Sequence, residues 1–358
     1  MDFSNILIKW YLQNKRDLPW RKTVDPYQIW LSEIMLQQTR VAQGMPYFFA
    51  FTKEFPTVKD LADAPEEKVL KLWQGLGYYS RARNLHKTAQ YIAYDLNGVF
   101  PDSYKELLKL KGVGEYTAAA IASFSYNEAV PVVDGNVFRV LSRYFDVETD
   151  IALPSAKKEF AALAQELMPK ETRGEAELSE ANPAIFNQAI MEFGALQCVP
   201  KSPDCSKCVF NESCAALQKG KVNQLPVKSK KIKVTNRYFN YLILEDVCGN
   251  TLIQKRTEKG IWHNLYEFPL LETQTIVDFD VISKAAKDEM FPFYTIISIE
   301  DYSESTIIHK LSHQHLHIQF WKVKVKEKIE NGVDAEILKT FPFPIVIYNF
   351  IEKQEINC

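Results

Sequence analysis

The stretch LKLKGVGEYTAAAIASF, residues 108–124, has the pattern of a helix, a tight turn and a second helix. Gly112 and Gly114 stand in the turn, where we expect backbone angles that a β-carbon would forbid. Backbone N–H groups at the start of the second helix can accept a phosphate without reading base sequence. An ordinary corner between two helices would show much the same pattern. The stretch therefore predicts a helical hairpin and a candidate contact with a nucleic-acid backbone.

Helical periodicity extends on both sides of this hairpin, from Met1 to about Ala216. Apolar residues recur there every three or four positions, and the breaks contain Pro or Gly. One helix is predicted from about Pro26 to Thr39, because its apolar residues form a single stripe. The stripe consists of Tyr27, Trp30, Leu31, Ile34 and Met35. The amino-terminal part is therefore predicted to be all-α.

A basic stretch separates this part from the rest of the chain. Residues 219–233 hold six lysines, one proline and no acidic residue. Such a composition is typical of an exposed linker between domains. The lysines could lie along phosphate or simply be solvated, and the sequence leaves both open.

After Val234 the periodicity changes. Residues 235–256 are predicted to form two strands joined at residues 248–250, and residues 315–326 alternate with a phase slip at Phe320–Trp321. Short helices are predicted at Lys284–Met290 and Tyr348–Gln354. The carboxy-terminal part is therefore predicted to be α/β.

The bulk properties agree with several domains rather than one. A chain of 358 residues exceeds the usual size of a single core. With 46% hydrophobic and 25% charged residues it has the composition of a globular protein. No cleavable leader and no apolar run of about 20 residues is present, so we expect a cytoplasmic protein that does not enter a membrane. The net charge of −2 means that any DNA-binding face must be local.

Four of the six cysteines have the spacing Cys198-x6-Cys205-x2-Cys208-x5-Cys214. In a chain without a secretion signal, such a cluster favours metal ligation over disulfides. Four thiolates on one compact loop can surround a single cubic iron-sulfur cluster. A zinc ribbon usually has two separated CxxC pairs, whereas this stretch has one, although zinc stays open on this general argument.

Asp134 follows an apolar run in AVPVVDGNVFRVLSR, residues 129–143, and directly precedes a predicted helix. Asp is a favoured N-cap, and capping alone would account for it. The same position is predicted to lower the pKa of the carboxyl group and to keep it anionic beside a developing cation. Capping and electrostatic stabilisation can therefore be combined in one residue.

Glu33, in WLSEIMLQQTR, residues 30–40, lies away from the apolar stripe and is predicted to share a helix face with Gln37 and Arg40. A solvated helix face would explain an isolated glutamate, but the polar neighbours suit the wall of a polar pocket. Cleavage of a bond whose leaving group must be protonated while its other side becomes cationic needs a proton donor and a nearby anion. Glu33 and Asp134, in different environments, could supply them.

The cysteine spacing and the motifs GVGEYTA, VDGNV and LQQT together resemble the MutY family of adenine DNA glycosylases, in the endonuclease III superfamily. The resemblance covers essentially the whole chain. It implies a multidomain fold in which an all-α helix-hairpin-helix glycosylase region, residues 1–218, is followed by the linker 219–233 and an α/β Nudix-like domain, 234–358. Within the first region it implies a six-helix domain at about 26–133 and an iron-sulfur helical domain formed by 1–25 and 134–218.

The resemblance also implies an activity. The protein would be a monofunctional base-excision-repair glycosylase that flips adenine out of duplex DNA, where adenine is mispaired with 8-oxoguanine or guanine, and leaves an abasic site. Glu33 would protonate adenine at N7 and then help to activate water, while Asp134 would stabilise or briefly trap the sugar cation. Tyr116 and Asn136 match supporting residues of the family. Relatives that also cut the strand carry a Schiff-base lysine at the position of Tyr116.

Further residues correspond to family contacts by the same resemblance. A [4Fe-4S] cluster on the four cysteines would have a structural role and would hold Lys201 and Lys207 near DNA phosphate. The protein is expected to be a monomer. DNA and lesion contacts are matched by Gln38, Thr39, Leu76, Tyr78, Gly112, Gly114, Ser312 and His313. The adenine pocket is matched by Arg16, Trp20, Arg21, Leu36, Gln188 and Glu192, although helix packing also explains much of the segment that holds the last two.

Tyr78 is the first tyrosine of GLGYYSRARNLHK, residues 75–87. In the family this tyrosine inserts beside the oxidised guanine. The alternative is that Tyr78 is a core tyrosine. Leu311 stands where the family has the Phe of a Phe-Ser-His turn, so Ser312 and His313 would read the lesion without that aromatic contact.

Three other functions compete with the adenine glycosylase interpretation. An endonuclease III-like glycosylase for oxidised pyrimidines is opposed by the missing lysine and by the extra domain. A Nudix pyrophosphohydrolase would need a glutamate-rich metal-binding box, which does not follow Phe268–Pro269. A DNA-binding protein without catalysis would keep the hairpin and the cluster. A metal site on His309, His313, His315 and His317 is not expected, because strand alternation alone explains their spacing.

Overall fold

The computed structural model describes residues 3–169, 182–229, 234–303 and 305–354. The helices, in chain order, are α1 (Phe3–Asn14), α2 (Pro26–Met35), α3 (Val41–Glu54), α4 (Val58–Asp63), α5 (Glu66–Leu72), α6 (Ser80–Gln90), α7 (Tyr104–Leu107), α8 (Glu115–Tyr126), α9 (Gly135–Phe145), α10 (Pro154–Leu167), α11 (Pro183–Leu196), α12 (Ala215–Gln218), α13 (Phe279–Ala285), α14 (Ala335–Leu338) and α15 (Ile345–Lys353). The strands are β1 (Thr235–Glu245), β2 (Gln254–Lys255), β3 (Tyr266–Glu267), β4 (Leu270–Thr273), β5 (Ile296–Asp301), β6 (Ile307–Lys310) and β7 (Gln314–Val325). Among the described residues no helix is both long and apolar enough to span a bilayer.

The chain divides into two compact units. The first contains Met1–Asp63 and Asn84–Lys230, and the second contains Ala64–Arg83 and Lys231–Cys358. The second unit thus combines a short helical segment with the carboxy-terminal residues. The predicted boundaries instead place residues 64–83 in the domain at 26–133, apart from the domain at 234–358. Residues 230–233 of the predicted linker lie outside the described residues.

Helix α2 is shorter than predicted, because it ends at Met35 rather than near Thr39. The Asp25 side chain accepts the Tyr27 N–H at its start, and Pro26 occupies the first turn. At the other end Gln38 has a φ of 55°, which an α-helix does not continue through. The predicted face joining Glu33 to Arg40 is therefore wrong, since Arg40 is the N-cap of α3.

One core cluster of the first unit forms where α1, α9, α10 and α11 pack together around Leu7, Val137, Phe160 and Ile190. Helix α11 approaches the start of α9 closely at Gly194. A β-carbon there would lie 2.6 Å from the Asn136 Cβ. This close packing fixes the amino-terminal end of α9, where Asp134 and Asn136 stand.

The predicted hairpin lies between α7 and α8, and its two glycines differ. Gly112 has a φ of 76°, and a β-carbon there would lie 2.8 Å from the Asn84 Cβ. Gly114, the N-cap of α8, has an ordinary φ of −91° and nothing within 4 Å of a would-be β-carbon. The expectation of forbidden backbone angles therefore holds for Gly112 only, and Gly114 instead leaves open space before the helix.

The second unit contains a sheet with the order β4-β1-β7-β5, and β6 also pairs with β7. The long strands β1 and β7 are parallel and keep one register from Thr235↔Gln314 to Glu245↔Lys324. The phase slip at Phe320–Trp321 is therefore not a bulge in this pair. Phe320 stacks on Phe350 of α15, whereas Trp321 packs in the cluster that contains Ile282 of α13, so the buried face changes along the strand.

Two local predictions in this unit are corrected. Residues 235–256 do not form a regular two-stranded hairpin, because after the turn only Thr251 bridges back to Glu245, and β2 pairs with β3. The predicted helices begin earlier than expected, at Phe279 for α13 and at Ile345 for α15. Alternating or periodic apolar residues located these elements, but their ends depend on caps and on partners elsewhere in the chain.

Candidate active site

Glu33 lies on the buried side of α2, with only 2% of its surface exposed. Its carboxylate accepts a hydrogen bond of 2.5 Å from the Tyr116 hydroxyl and one of 3.2 Å from Arg21 Nη1. Burial raises the pKa of Tyr116 well above its usual value, so the phenol stays a neutral donor. The solvated-face alternative for Glu33 is therefore wrong, because this carboxylate is enclosed by donors.

Asp134 caps α9, as predicted. Its side chain accepts the N–H groups of Asn136 at 2.9 Å and Val137 at 2.8 Å, and the Asn136 Nδ2 donates to it at 2.7 Å. The pKa of Asp134 is nevertheless raised, because burial outweighs these three hydrogen bonds and Glu33 adds repulsion. The predicted lowering of this pKa is therefore wrong: the cap is present, but the partial burial of the charge outweighs it.

Asn136 joins this carboxylate to a buried cation. Its Oδ1 accepts a hydrogen bond of 2.8 Å from Arg139 Nη2, and the same nitrogen donates to the Gly194 carbonyl oxygen at 2.6 Å. Sequence reasoning missed Arg139. Its position three residues after Asn136 on one helix was the available signal, since residues at that spacing are neighbours on a helix surface.

A cavity of about 550 Å³ adjoins both carboxylates. Its size falls in the range of small-molecule and cofactor sites. Its lining includes the four predicted catalytic residues and the six predicted adenine-pocket residues: Glu33, Tyr116, Asp134 and Asn136, with Arg16, Trp20, Arg21, Leu36, Gln188 and Glu192. Thr39 also lines this cavity.

Several side chains of the cavity wall are held in place by each other. Arg16 pairs with Glu192 through two hydrogen bonds of 2.6 and 2.7 Å, and Gln188 Oε1 accepts the Tyr11 hydroxyl at 2.6 Å. The Trp20 indole N–H is buried without a hydrogen-bond partner among the described residues. The cavity thus presents aromatic and polar groups together, as a pocket for a heteroaromatic base requires.

A second cavity, of about 640 Å³, shares Glu33, Tyr116 and Asp134 with the first. It extends to Gln38 and to Gly114 at the hairpin. Gly112 is not part of its lining, consistent with a role in shaping the turn. Gly114 at the hairpin and the two carboxylates therefore line the same cavity.

Four predicted DNA or lesion contacts lie in the second unit. Tyr78 has a φ of 48°, is 45% exposed, and shares a hydrogen bond with the Ser312 hydroxyl. The core-tyrosine alternative applies to its neighbour Tyr79, which is buried. His313 is exposed, whereas Leu76 is buried, with 4% of its surface exposed.

The other histidines of this region are accounted for by the sheet. His317 stacks on Tyr238, and its Nε2 lies 3.2 Å from Asn236 Oδ1. His309 faces Trp262, and burial lowers its pKa. Among the described residues, no three His, Cys, Asp or Glu side chains are grouped as ligands of a single metal ion.

The four clustered cysteines line one pocket together with apolar residues that include Val140 and Phe210. Arg143 Nη1 lies 3.4 Å from Cys198 Sγ, and the guanidinium also donates to the carbonyl oxygens of Val199 and Pro200. Sulfur donors around a mainly apolar pocket, with a buried cation beside them, fit the chemistry of an anionic iron-sulfur cluster. Lys201 and Lys207 are exposed on the same loop.

Comparison with known proteins adds independent findings. The family described as HhH-GPD superfamily base excision DNA repair protein matches residues 31–170, and the NUDIX domain matches residues 240–353. An adenine DNA glycosylase from Buchnera aphidicola subsp. Baizongia pistaciae is 35% identical over 317 residues, which are 88% of this chain and 84% of that protein. The adenine DNA glycosylase from Homo sapiens is 41% identical over 62% of this chain and 41% of its own length.

Solved structures agree on the fold of the helical region. A thermostable thymine-DNA glycosylase has a TM-score of 0.53 and 29% identity, covering 61% of this chain and 95% of that one. A trapped endonuclease III-DNA covalent intermediate has a TM-score of 0.51 at 23% identity, which shows the fold alone. Because the similarity to curated adenine DNA glycosylases exceeds 30% identity and covers more than two thirds of both chains in the Buchnera comparison, this chain belongs to the adenine DNA glycosylase family.

Proposed function

We propose that the protein is a monofunctional adenine DNA glycosylase of base-excision repair, which extrudes adenine from duplex DNA, hydrolyses its N-glycosidic bond and leaves an abasic site. The observation that carries this proposal is the cavity of about 550 Å³ that adjoins two carboxylates in different environments. By the family resemblance, Tyr116 would stand where strand-cutting relatives carry a Schiff-base lysine. Its phenol donates to Glu33 and has no amine with which to form a Schiff base.

Glu33 is proposed as the general acid. In its protonated form it would donate to N7 of the extruded adenine, which makes the base a better leaving group. The hydrogen bonds from Tyr116 and Arg21 would then stabilise the carboxylate that remains after transfer. The same carboxylate could accept a proton from the attacking water.

Asp134 is proposed to stabilise the sugar as it becomes a cation. A partly buried anion whose charge is less well solvated interacts more strongly with a nearby cation than a fully exposed one does. Asn136 and the two backbone N–H groups fix the direction of the carboxylate, so it needs little reorganisation during the reaction.

The base opposite the adenine is proposed to be 8-oxoguanine, or guanine. Tyr78, Ser312 and His313 are exposed. Their side chains carry ring and hydrogen-bonding groups that suit a base edge. Gln38 and Thr39 are proposed as further contacts, and Leu76 as one that must become accessible on DNA. Leu311 would leave this turn without an aromatic group.

Cys198, Cys205, Cys208 and Cys214 are proposed to hold a [4Fe-4S] cluster. When bound, the cluster would supply structural cross-linking of the loop and no redox step in base removal. Arg143 beside Cys198 would balance part of its negative charge. The loop would then present Lys201 and Lys207 to DNA phosphate.

The remaining assignments follow from this substrate. The protein is proposed to act as a monomer where chromosomal DNA is found, with a glycosylase region at 1–218, a linker at 219–233 and a NUDIX-like region at 234–358. The grouping of residues 64–83 with the carboxy-terminal part does not alter the proposed roles of these regions.

The proposal is tested with duplexes that contain A opposite 8-oxoguanine, A opposite G and A opposite T. Each is incubated with the protein under single-turnover conditions, and alkali then converts abasic sites into strand breaks. We expect cleavage after alkali for the first two duplexes only, and little without alkali. Equal processing of all three would contradict lesion reading, and efficient cutting before alkali would contradict a monofunctional enzyme.

A further inference from the structure

Residues 64–83 include α5 and the turn that carries Tyr78, and they belong to the same compact unit as the carboxy-terminal residues. Polar contacts join this segment to the carboxy-terminal part along its whole length. The donor–acceptor pairs are Asn264–Glu66, Lys255–Glu67, Tyr266–Glu67, Lys71–Lys339, Gln74–Phe343, Tyr78–Ser312 and Arg83–His263.

Glu67 and Lys71 lie one helical turn apart on α5, and each contacts at least two residues of the carboxy-terminal part. The Glu67 carboxylate accepts Lys255 Nζ at 2.9 Å and the Tyr266 hydroxyl at 2.7 Å. Lys71 Nζ donates to the Lys339 carbonyl oxygen at 2.6 Å and lies 4.3 Å from the centre of the Tyr348 ring. We call Glu67 and Lys71 the α5 anchor. Both are far in sequence from the groups that they hold.

The chain after α5 has little freedom. Gly75, Gly77 and Tyr78 all have positive φ values, of 97°, 76° and 48°. The Gly77 carbonyl oxygen accepts the Trp73 indole N–H at 3.0 Å and Arg81 Nη2 at 3.2 Å. Because the turn is internally bonded, the position of α5 determines where the Tyr78 ring projects.

We propose that Glu67 and Lys71 are positioning residues that set specificity: by anchoring α5 they hold Tyr78 against Ser312, so that the two side chains form one preformed surface for the base opposite the extruded adenine. The inference rests on the proposed function and deepens it. Neither anchor residue needs to touch DNA. Their effect arises because a reading surface that is ordered before binding loses less entropy when it binds.

The test compares single-turnover excision rates for A opposite 8-oxoguanine and A opposite G. In Glu67→Ala and Lys71→Met the ratio of the two rates should fall by about tenfold or more, as misplaced contacts commonly cost. The rate with A opposite G should change little. Lys71→Arg keeps a cation beside the carbonyl oxygens and should restore most of the ratio.

The matched control is Asp63→Ala. Asp63 also accepts hydrogen bonds from a lysine and a tyrosine, Lys59 and Tyr94, but it belongs to the other unit. Its loss should leave the ratio unchanged. Hydrogen exchange of the amides in residues 73–81 gives a second measurement, which should become faster in both anchor variants and not in the control.

Combination with Tyr78→Phe separates positioning from general damage. If the anchor acts through the Tyr78–Ser312 pair, then Glu67→Ala should lower the ratio no further in a protein that already carries Tyr78→Phe. The inference is overturned if Tyr78→Phe lowers the ratio while the anchor variants keep the wild-type value, or if the two effects simply add. If the wild-type protein shows no preference between the duplexes, lesion reading itself fails, and that result is distinct from a failure of the anchor.

Discussion

Asp134 accepts two backbone hydrogen bonds at the start of α9, yet burial raises its pKa. Glu33 is more deeply buried than Asp134, and it accepts hydrogen bonds from the Tyr116 hydroxyl and the Arg21 guanidinium instead of from backbone amides. Two carboxylates on one cavity are thus given different partners. This difference in hydrogen-bond partners suits Glu33 to donate a proton and Asp134 to act as an anion.

Replacement of Glu33 by Gln should abolish proton donation without removing bulk. We expect the single-turnover rate of adenine excision to fall by roughly 100- to 10,000-fold, the usual contribution of a general acid. Binding of the mismatched duplex should persist, as measured by fluorescence anisotropy. Glu106→Gln, at an exposed residue paired with Lys109, is the control and should leave the rate unchanged. Loss of binding together with the rate would contradict a catalytic role.

Asp134→Asn should uncouple activity from stability. A carboxyl group with a raised folded-state pKa stabilises the fold at low pH and loses that contribution as pH rises through the folded pKa. Asn can still cap α9 but carries no charge to desolvate. Excision should therefore be lost, while the free energy of unfolding at neutral pH should be unchanged or higher and should depend less on pH.

Denaturant titrations at several pH values check this prediction. Asp278→Asn is the control, because Asp278 caps α13 through the Val281 N–H on the protein surface. It should show no gain at neutral pH. A larger loss of stability for Asp134→Asn at neutral pH than at acid pH would mean that the hydrogen bonds to the anion outweigh its burial.

At the level of elements, the hairpin between α7 and α8 combines a strained turn with an open helix start. Gly112 is required by its positive φ and by the proximity of Asn84, whereas Gly114 faces empty space. The first glycine therefore contributes to the fold, and the second leaves room for a ligand at the amino-terminal end of α8.

This difference predicts opposite phenotypes for two identical substitutions. Gly112→Ala should lower the free energy of unfolding by about 1–3 kcal/mol, because a β-carbon meets both strain and a clash. Gly114→Ala should change stability by less than about 0.5 kcal/mol but weaken binding to any duplex DNA, because a methyl group intrudes where a phosphate would approach. Thermal unfolding and anisotropy together check the pair. Equal destabilisation by both would refute the assignment.

At the level of the whole molecule, the cysteine pocket packs against α9, the helix that Asp134 caps. Arg143 of α9 contacts Cys198, and Arg139 of the same helix donates to the Cys198 carbonyl oxygen at 2.7 Å. A cluster bound by the cysteines would therefore stabilise the helix that fixes Asp134 and Asn136. Its effect on catalysis would be indirect.

Cys205→Ser should accordingly reduce the iron content and the visible absorption of the protein and lower its thermal midpoint, with a loss of more than about 3 kcal/mol if the site collapses. Cys248→Ser is the control, since Cys248 is exposed and lies in the second unit. Elemental analysis of the wild-type protein decides the metal. One zinc per chain without iron would refute the proposed cluster.

Much of this architecture follows from local patterns in the sequence. Apolar periodicity located α2, α8 and β7, and the cysteine spacing located the candidate cluster loop. Element ends were less predictable: α2 stops at Met35 because Gln38 takes a left-handed conformation, and no periodic signal marks that change. Likewise the burial change at Phe320–Trp321 depends on which helix covers each face of the sheet.

The sequence by itself determined which residue types are available: two carboxylates, a hairpin with glycines, four clustered thiols and a change from helices to strands. Such features are local, so neighbouring residues suffice to specify them. Tertiary structure alone decided that Glu33 is enclosed by Tyr116 and Arg21, that burial raises the pKa of Asp134, and that residues 64–83 pack with the carboxy-terminal part. Desolvation and long-range contacts depend on residues distant in the chain, and they arise only when the chain folds.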